Sequence, residues 1–389
     1  MKHFSLLILL LIASALSAQA ADSLNFSLPQ NMDPVFEYYS RNYLSTRSMG
    51  RGTTGVASLG GVESVLANPA SYQIDRDAMY MELLIKPPVS TAIYTGDNNF
   101  KSPVPFGLVA AGGNVTDDLT WGAAYSLPKS LVMDAFNLEM NLGGYLHTRY
   151  PVYNLHQLTA NLGLHIGELN LGLNVHNQFH YISDFTVLRT FERIREVKYL
   201  LRPQMGMLWN TQKLNLGFSY TPQSPFNWDL KYVMYETSLP GEASVGLSVR
   251  DANRRYNLEM DWTDTSILNS HYKDRYTYKA GFEADVRKFT YRLGYLYRPQ
   301  IWDGLYQLPV NSTANADTAL WWDDAALGGR VPANDQHLAT AGLSWFFKDG
   351  CINLGLLYEV SGPAQMAQVN ASLGLNFDVF KRRKHPAEK

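Results

Sequence analysis

The chain is short of charge. Asp, Glu, Lys and Arg make up 17% of its 389 residues, against roughly a quarter of an ordinary soluble domain. Net charge is −2, which gives no reason to expect a nucleic-acid partner. There is one cysteine, Cys351, so no intramolecular disulfide can form, and the residue reads as a small side chain at a strand start. Beyond the N-terminus nothing approaches eighteen uninterrupted apolar residues, which excludes a transmembrane helix. The sequence has no phosphate loop, no Cys/His cluster and no dinucleotide motif, so no cofactor and no metal are expected. Histidines are present, at 147, 156, 165, 176, 180, 271 and 337, but no nucleophile motif accompanies them, and an enzyme is not expected. His165 and His176 could approach each other across the turn at Gly167, more simply as a solvated pair than as a metal site.

What the chain has in excess is aromatic residues, 13% of the total, together with a repeating rhythm. From Met79 to Phe380 strands alternate apolar and polar residues, pair across a turn of a few residues, and are followed by a much longer loop. In residues 168–179, Leu169, Leu171, Leu173 and Val175 share one face while Asn170, Gly172, Asn174 and His176 share the other. The same split recurs in 213–221, 289–297 and 368–377, with glycine recurring on the polar face. Counting such segments gives about fourteen strands, beginning near Met79, Pro105, Leu119, Leu158, Leu169, Pro203, Leu214, Ala243, Tyr256, Tyr276, Phe289, Leu338, Ile352 and Val369. Tight connections fall at 114–118, 167, 210–213, 250–254, 287–288 and 348–350; the connections between them are long. That sorting is the sequence form of an antiparallel up-and-down transmembrane β-barrel, with lipid-facing and lumen-facing residues alternating, short periplasmic turns, long outer loops and aromatic girdles. A soluble β-sandwich is the competing architecture, because alternating strands also build sandwiches. Within the loops, 131–146 and 185–201 carry apolar residues at helix-like spacing and are expected as short amphipathic helices on the outer rim.

The N-terminus supports export. Residues 1–20 begin with Lys2 and His3, run apolar, and close on Ala18-Gln19-Ala20, the pattern of a signal peptide. The division expected is therefore a signal peptide (1–20), an N-terminal extension and plug (21–76), an outer-membrane barrel (77–380) and a basic periplasmic tail (381–389), with both termini periplasmic. Such a barrel implies outer-membrane lipid and the barrel assembly machinery as partners.

Residues 43–72 do not alternate and are rich in Gly, Ala, Ser and Thr, which pack backbone closely in confined space or form turns. Met49-Gly50-Arg51-Gly52, Gly55-Val56-Ala57 and Asn68-Pro69-Ala70 resemble the plug, or hatch, of the FadL/TodX family of outer-membrane transporters for long-chain fatty acids and aromatic hydrocarbons. Further along, residues 240–266, Tyr272-Lys273-Asp274 with the strand pair after it, Asp335-Gln336-His337 and the closing Ala371-Ser372-Leu373-Gly374-Leu375-Asn376-Phe377 resemble the family's barrel in order. The extra stretch 22–41, the tail after 380 and a short loop at 180–201 depart from it.

The resemblance implies passive transport of a hydrophobic small molecule, a fatty acid or hydrocarbon, through a plugged barrel with a sideways exit. Lys273 matches the family's Lys-Asp and is the first candidate for holding a ligand carboxylate; Lys279 and Arg292, on lumen faces, come second. Pro69 removes an amide donor and pushes Asn68 towards extended backbone, fixing a bend by the wall. The resemblance puts Asn68, Pro69 and Ala70 beside a kinked strand that opens laterally. A different use of the same barrel and plug, as a PorV/PorQ-like component of type IX protein secretion with secretion-machine partners, also fits these residues.

Overall fold

The computed structural model describes residues 45–72, 78–85, 89–90, 99–101, 106–133, 152–187, 192–230, 233–267, 273–299, 335–361 and 367–376. The expected signal peptide, most of the expected N-terminal extension and the expected basic tail lie outside the described residues. The elements are a short helix α1 (Thr46–Gly50), a 3-10 turn (Val62–Leu66), and strands β1 (Met79–Ile85), β2 (Val89–Ser90), β3 (Asn99–Lys101), β4 (Phe106–Asn114), β5 (Leu119–Met133), β6 (Val152–Ile166), β7 (Leu169–Val187), β8 (Glu192–Asn210), β9 (Leu214–Thr221), β10 (Ser224–Leu230), β11 (Val233–Leu239), β12 (Glu242–Asp251), β13 (Arg254–Thr263), β14 (Arg275–Val286), β15 (Phe289–Arg298), β16 (Gln336–Phe347), β17 (Gly350–Ser361) and β18 (Ala367–Leu375).

Fourteen of these close into one antiparallel barrel. Each strand pairs with its neighbours in turn, and β1 shuts the ring by pairing with β4 on one side and β18 on the other, where Tyr80 faces Ala110 and Gly374. All fourteen strands expected from the alternation are present. Every expected tight turn is a turn. Ala252, Arg287 and Gly167 take positive φ (50°, 56° and 61°) at the first residue of their two-residue turns, the backbone twist that two-residue hairpins need. Met79 faces Leu375, so the barrel begins and ends on the short-turn rim.

The side chains are arranged inside out relative to a soluble core. Leu158, Leu162, Leu173, Met205, Leu258, Leu293 and Leu356 point outward and are exposed, whereas Asn161, Asn174, Gln204, Glu259, Glu283, Arg292, Asn353 and Asn370 point inward and are buried. In water this would leave a continuous apolar surface far larger than a monomer carries; in a bilayer it is the band that lipid requires. Exposed aromatic residues gather towards the two rims, with Trp209, Tyr256, Phe289 and Trp345 near the short turns and Tyr199, Tyr276 and Tyr358 near the other end.

One loop expectation is corrected, and a second falls mostly outside the described residues. Residues 185–187 and 192–201 continue β7 and β8 as a ladder, with Phe185 opposite Ile194 and Val187 opposite Glu192, instead of forming a rim helix. A strand pair already aligned by its hairpin adds residues without a new nucleus, whereas a short helix must meet its nucleation cost alone. The connection expected to be short is thus a tall two-stranded ribbon, since β8 pairs with β9 only from Met205 to Asn210. Of the other expected helix, Leu131–Met133 belong to β5 and the remainder lies outside the described residues. The long 222–240 connection contains the β10–β11 hairpin.

Glycine sits at one level around the inner wall. Gly172 faces Gly206, Gly217 faces Gly246, Gly281 faces Gly294, and Gly342 faces Gly355 across neighbouring strands. A Cβ at Gly217, Gly281 or Gly294 would collide with the backbone of Val56, Arg51 and Gly52. The belt is the space into which residues 45–72 fit. Filling it should unseat them: we expect Gly294→Val, and more weakly Gly294→Ala, to raise ion conductance in planar bilayers above that of the unsubstituted barrel. Equal conductance in all three would show that the belt does not set the fit.

Candidate functional site

Residues 45–72 lie inside the barrel, nearly all of them buried. They have little secondary structure, so most of their backbone groups need partners from elsewhere. The segment's own turns satisfy some, such as the Met49 amide on the Ser45 carbonyl. The wall supplies others, with three carboxylates anchoring the segment through its amides or through Arg51.

Glu82 of β1 is fully buried. It accepts from the Thr46 amide (2.7 Å), the Thr46 hydroxyl (2.9 Å), Tyr80 (3.1 Å) and Asn370 (3.2 Å), and so holds the start of α1. The helix itself is closed by a capping box between Ser45 and Ser48. Glu259 of β13 accepts from the amides of Gly55 (2.6 Å) and Val56 (2.8 Å). Lys279, opposite it on β14, completes that site with bonds to Glu259 (2.7 Å) and Asp261 (2.5 Å). Glu283 of β14 takes three guanidinium groups: Arg51 of the lumen segment at 2.8 Å, Arg292 of β15 at 2.8 Å and Arg255 of β13 at 3.3 Å. Between these anchors the Gly52 amide donates to Thr340 (2.8 Å), and Gly52 and Thr53 turn the chain through positive φ (72° and 60°) against β14 and β15.

The second half of the segment is held by amides and by apolar packing. Asn68 donates to the carbonyls of Val56 (2.7 Å) and Met207 (3.0 Å) while its own oxygen accepts from the Ala70 amide (3.0 Å). Asn161 donates to the Pro69 carbonyl (3.0 Å) and Asn174 to that of Val65 (2.8 Å). Val62, Val65, Leu66 and Tyr72 pack on Tyr80, Leu108, Ala110 and Ala124 of β1, β4 and β5. One side of the lumen segment is therefore seated by charge and the other by apolar contact.

With this geometry the chain can be set beside known proteins. No family model and no curated protein matches it. Its structure is similar to a Pseudomonas aeruginosa FadL homologue (TM-score 0.60, 13% identity, covering 86% of this chain and 98% of that one). It is equally similar to the Ralstonia pickettii toluene transporter TbuX (0.60, 13%, 86% and 99%) and to the Pseudomonas putida toluene transporter TodX (0.59, 13%, 87% and 99%). The fold is that of the FadL and TodX barrels.

The residues singled out from the sequence fall into three groups in this FadL-like frame. Met49, Gly50, Arg51 and Gly52, with Asn68, Pro69 and Ala70, are all buried in the lumen or close against its wall: Gly50 meets Gly342, and Pro69 meets Gly172 and Gly206. Strands β6, β7 and β8 beside Asn68-Pro69-Ala70 pair without interruption from Val152 to Ile166 and from Leu169 to Ser183, so the wall there is closed. Four strand pairs carry a register shift, β1–β4, β7–β8, β16–β17 and β5–β6. The one that contains a proline is in β5, where three steps from Ser126 to Lys129 span two on β6, a bulge at Leu127-Pro128. Lys279 and Arg292 are in the lumen, but both are engaged in the ion pairs that seat the segment. Lys273 is exposed on the long-loop rim, and its carbonyl accepts from Thr265. Its neighbour Asp274 accepts from Trp262 (3.0 Å); partial burial pushes that carboxyl up, and the bonds from Trp262 and Ser266 outweigh it and hold it below the usual range.

His165 and His176 do not meet. His165 pairs with Asn170 (2.9 Å), and His176 with Thr159 (2.8 Å) and Gln204 (3.1 Å); among the described residues no His/Cys/Asp/Glu group could hold a metal. Cys351 is buried on the lumen face against the Arg47 guanidinium. The three carboxylates were not among the sequence candidates. Their signal was available, since Glu82, Glu259 and Glu283 each fall on the polar phase of an alternating strand, between apolar neighbours.

Removing one partner of a buried ion cluster typically costs about 3–5 kcal/mol, because the remaining charges are left unpaired. Glu283→Gln should therefore lower the thermal unfolding midpoint and expose Arg47 and Arg51 to trypsin, with cleavage read by mass spectrometry. Glu168→Gln, at the exposed β6–β7 turn, should do neither.

Proposed function

We propose that this barrel stands in a Gram-negative-type outer membrane with both termini periplasmic and passes hydrophobic small molecules by diffusion. The observation that carries the reading is a lumen filled by residues 45–72 within a FadL-like barrel. A filled lumen does not suit an open porin, and the structurally similar TbuX and TodX are toluene transporters. Passage is driven by the gradient, and the segment shifts between seated and displaced positions as ligand occupies one state better than the other.

The proposed exit is lateral, at the Leu127-Pro128 bulge of β5. Pro128 has no amide to give to the ladder, while the strands beside Asn68-Pro69-Ala70 would have to break a continuous one. Within the family expectation, those three residues serve as the fixed bend that returns the segment to the wall. Lys273, exposed at the outer rim, is the proposed first contact for an acidic ligand. Lys279 and Arg292 could take a carboxylate only by giving up Glu259, Asp261 and Glu283, which favours hydrocarbons or a neutral form of the cargo at that depth.

A second reading has its own observation. The β7–β8 ribbon rises beyond β9 with Val197, Tyr199 and Leu201 exposed, a surface suited to a protein partner, as a PorV/PorQ-like secretion component would need.

Deletion of the gene should abolish uptake of labelled toluene or oleate, and unchanged uptake of both would overturn the transport reading. The lateral exit is tested by a staple. Ser126→Cys with Gln157→Cys, directly paired across β5 and β6 beside the bulge, have the spacing a disulfide accepts. Uptake should fall on oxidation and recover on reduction; uptake indifferent to the staple would contradict an exit at this point.

A further inference from the structure

Two strand pairs rise side by side at the long-loop end of the wall, and only one of them continues its ladder. β7 and β8 stay paired up to Val187 opposite Glu192. β9 and β12 stop at Thr221 opposite Glu242, and β10 and β11 resume at Ser224 opposite Leu239. The register is the same on both sides of the gap, with Pro222 opposite Gly241 and Gln223 opposite Pro240. The β10–β11 hairpin is thus the continuation of β9 and β12, cut from them where two prolines have no N–H to give the ladder.

Released there, the hairpin folds to the lumen side of its neighbour. Phe226 is buried with its ring 4.3 Å from that of His180, which shares the lumen face of β7 with Asn174, His176 and Gln178. Arg202, on the lumen face of β8, holds the stems. Its Nε donates to the Pro222 carbonyl (3.2 Å), its Nη2 to the Pro240 carbonyl, and Nη1 meets Glu242 at 3.4 Å. One side chain therefore grips both strands at the break.

This fold leaves an edge of the wall open. β8 pairs with β9 only from Met205 to Asn210, and among the described residues no strand pairs with that edge of β8 from Glu192 to Gln204. An open edge is a template for another strand. Carrying the register of Met205 with Tyr220 past the gap sets Ser224 opposite Leu201 and Phe226 opposite Tyr199. The hairpin has the register to fill the edge it leaves open.

We propose that β10–β11 is a two-position flap. In the tucked position, the one in this structure, Phe226 sits on His180 inside the long-loop mouth and Arg202 pins the stems. In the other, the hairpin swings on Pro222-Gln223 and Pro240-Gly241 into line with β9 and β12, and β10 pairs with β8. The exchange trades the Phe226 seat and the Arg202 bonds for ladder bonds to the open edge, two discrete arrangements of one element. It clears the mouth above residues 45–72, whatever the barrel passes or binds.

The test uses the full chain in lipid nanodiscs. Leu201→Cys with Ser224→Cys sets two thiols opposite each other in the swung position only, because Leu201 faces outward and the tucked hairpin lies on the lumen side of β8. Cys351 is fully buried and does not compete. Under mild oxidation this pair should close at least about tenfold faster than Val197→Cys with Ser224→Cys, which lies on the same face out of register. Arg202→Gln, which unpins the stems, should speed closure at least about threefold. Closing the bond should raise carbethoxylation of His180 by diethyl pyrocarbonate, read by mass spectrometry, at least about tenfold. No bond between positions 201 and 224 in a protein where Ser126→Cys with Gln157→Cys closes would overturn the proposal. Equal closure from position 197, a rate untouched by Arg202→Gln, or His180 no more reactive after cross-linking would each do the same.

Discussion

An irregular stretch of chain crossing the inside of a barrel has backbone donors and acceptors that neither helix nor sheet can satisfy, and buried unsatisfied groups each cost of the order of 1–3 kcal/mol. The structure depends on how the wall meets that demand. Glu82, Glu259 and Thr340 take the segment's amides, and Asn161 and Asn174 take its carbonyls, while Glu283 and Asn257 hold the side chains of Arg51 and Ser58. Because carboxylates are acceptors only, they can seat amides and guanidinium groups but not carbonyls. The carbonyls of Val65, Pro69 and Ala57 go instead to asparagine amides of β7, β6 and β9. The division of wall residues between Glu and Asn follows from which backbone group they meet.

Space is the complementary constraint. The polar partners would be useless if the wall stood too far in, and the glycine belt lets the segment's backbone lie directly on the backbone of the strands. At that approach, short polar side chains reach their targets and long ones would be displaced. Beside the segment, Lys279, Arg255 and Arg292 lie along the sheet between neighbouring strands and neutralise Glu259 and Glu283. A lumen that looks, from the alternation alone, like a row of free cations is a set of occupied ones.

The wall was almost wholly legible in the sequence. Alternation with period two fixes which face of a strand meets lipid, and tight turns fix where strands end, so all fourteen strands and every short turn could be placed. What alternation could not fix was how far strands extend past the bilayer: residues 185–201 carry apolar spacing that suits helix and strand alike, and the pairing of β7 with β8 decided it. The inward position of residues 45–72 was legible through their lack of period and their small side chains, and through Met49-Gly50-Arg51-Gly52 and Asn68-Pro69-Ala70. Partners across the lumen were not, because Arg51 and Glu283 are 232 residues apart, and nothing local in either strand reports the other. Lys279 and Arg292 were correctly placed on the lumen face for this reason, and their ion pairs could not be seen.

The central claim is that residues 45–72 are seated in the lumen by hydrogen bonds from their own amides to wall side chains. Hydrogen–deuterium exchange of the full chain in lipid nanodiscs reads those amides directly. The account predicts that Thr46, Gly52, Gly55 and Val56 exchange as slowly as the barrel strands, since each donates to Glu82, Thr340 or Glu259. Exchange of these four at the rate of an unstructured peptide, with the strands still protected, would contradict it.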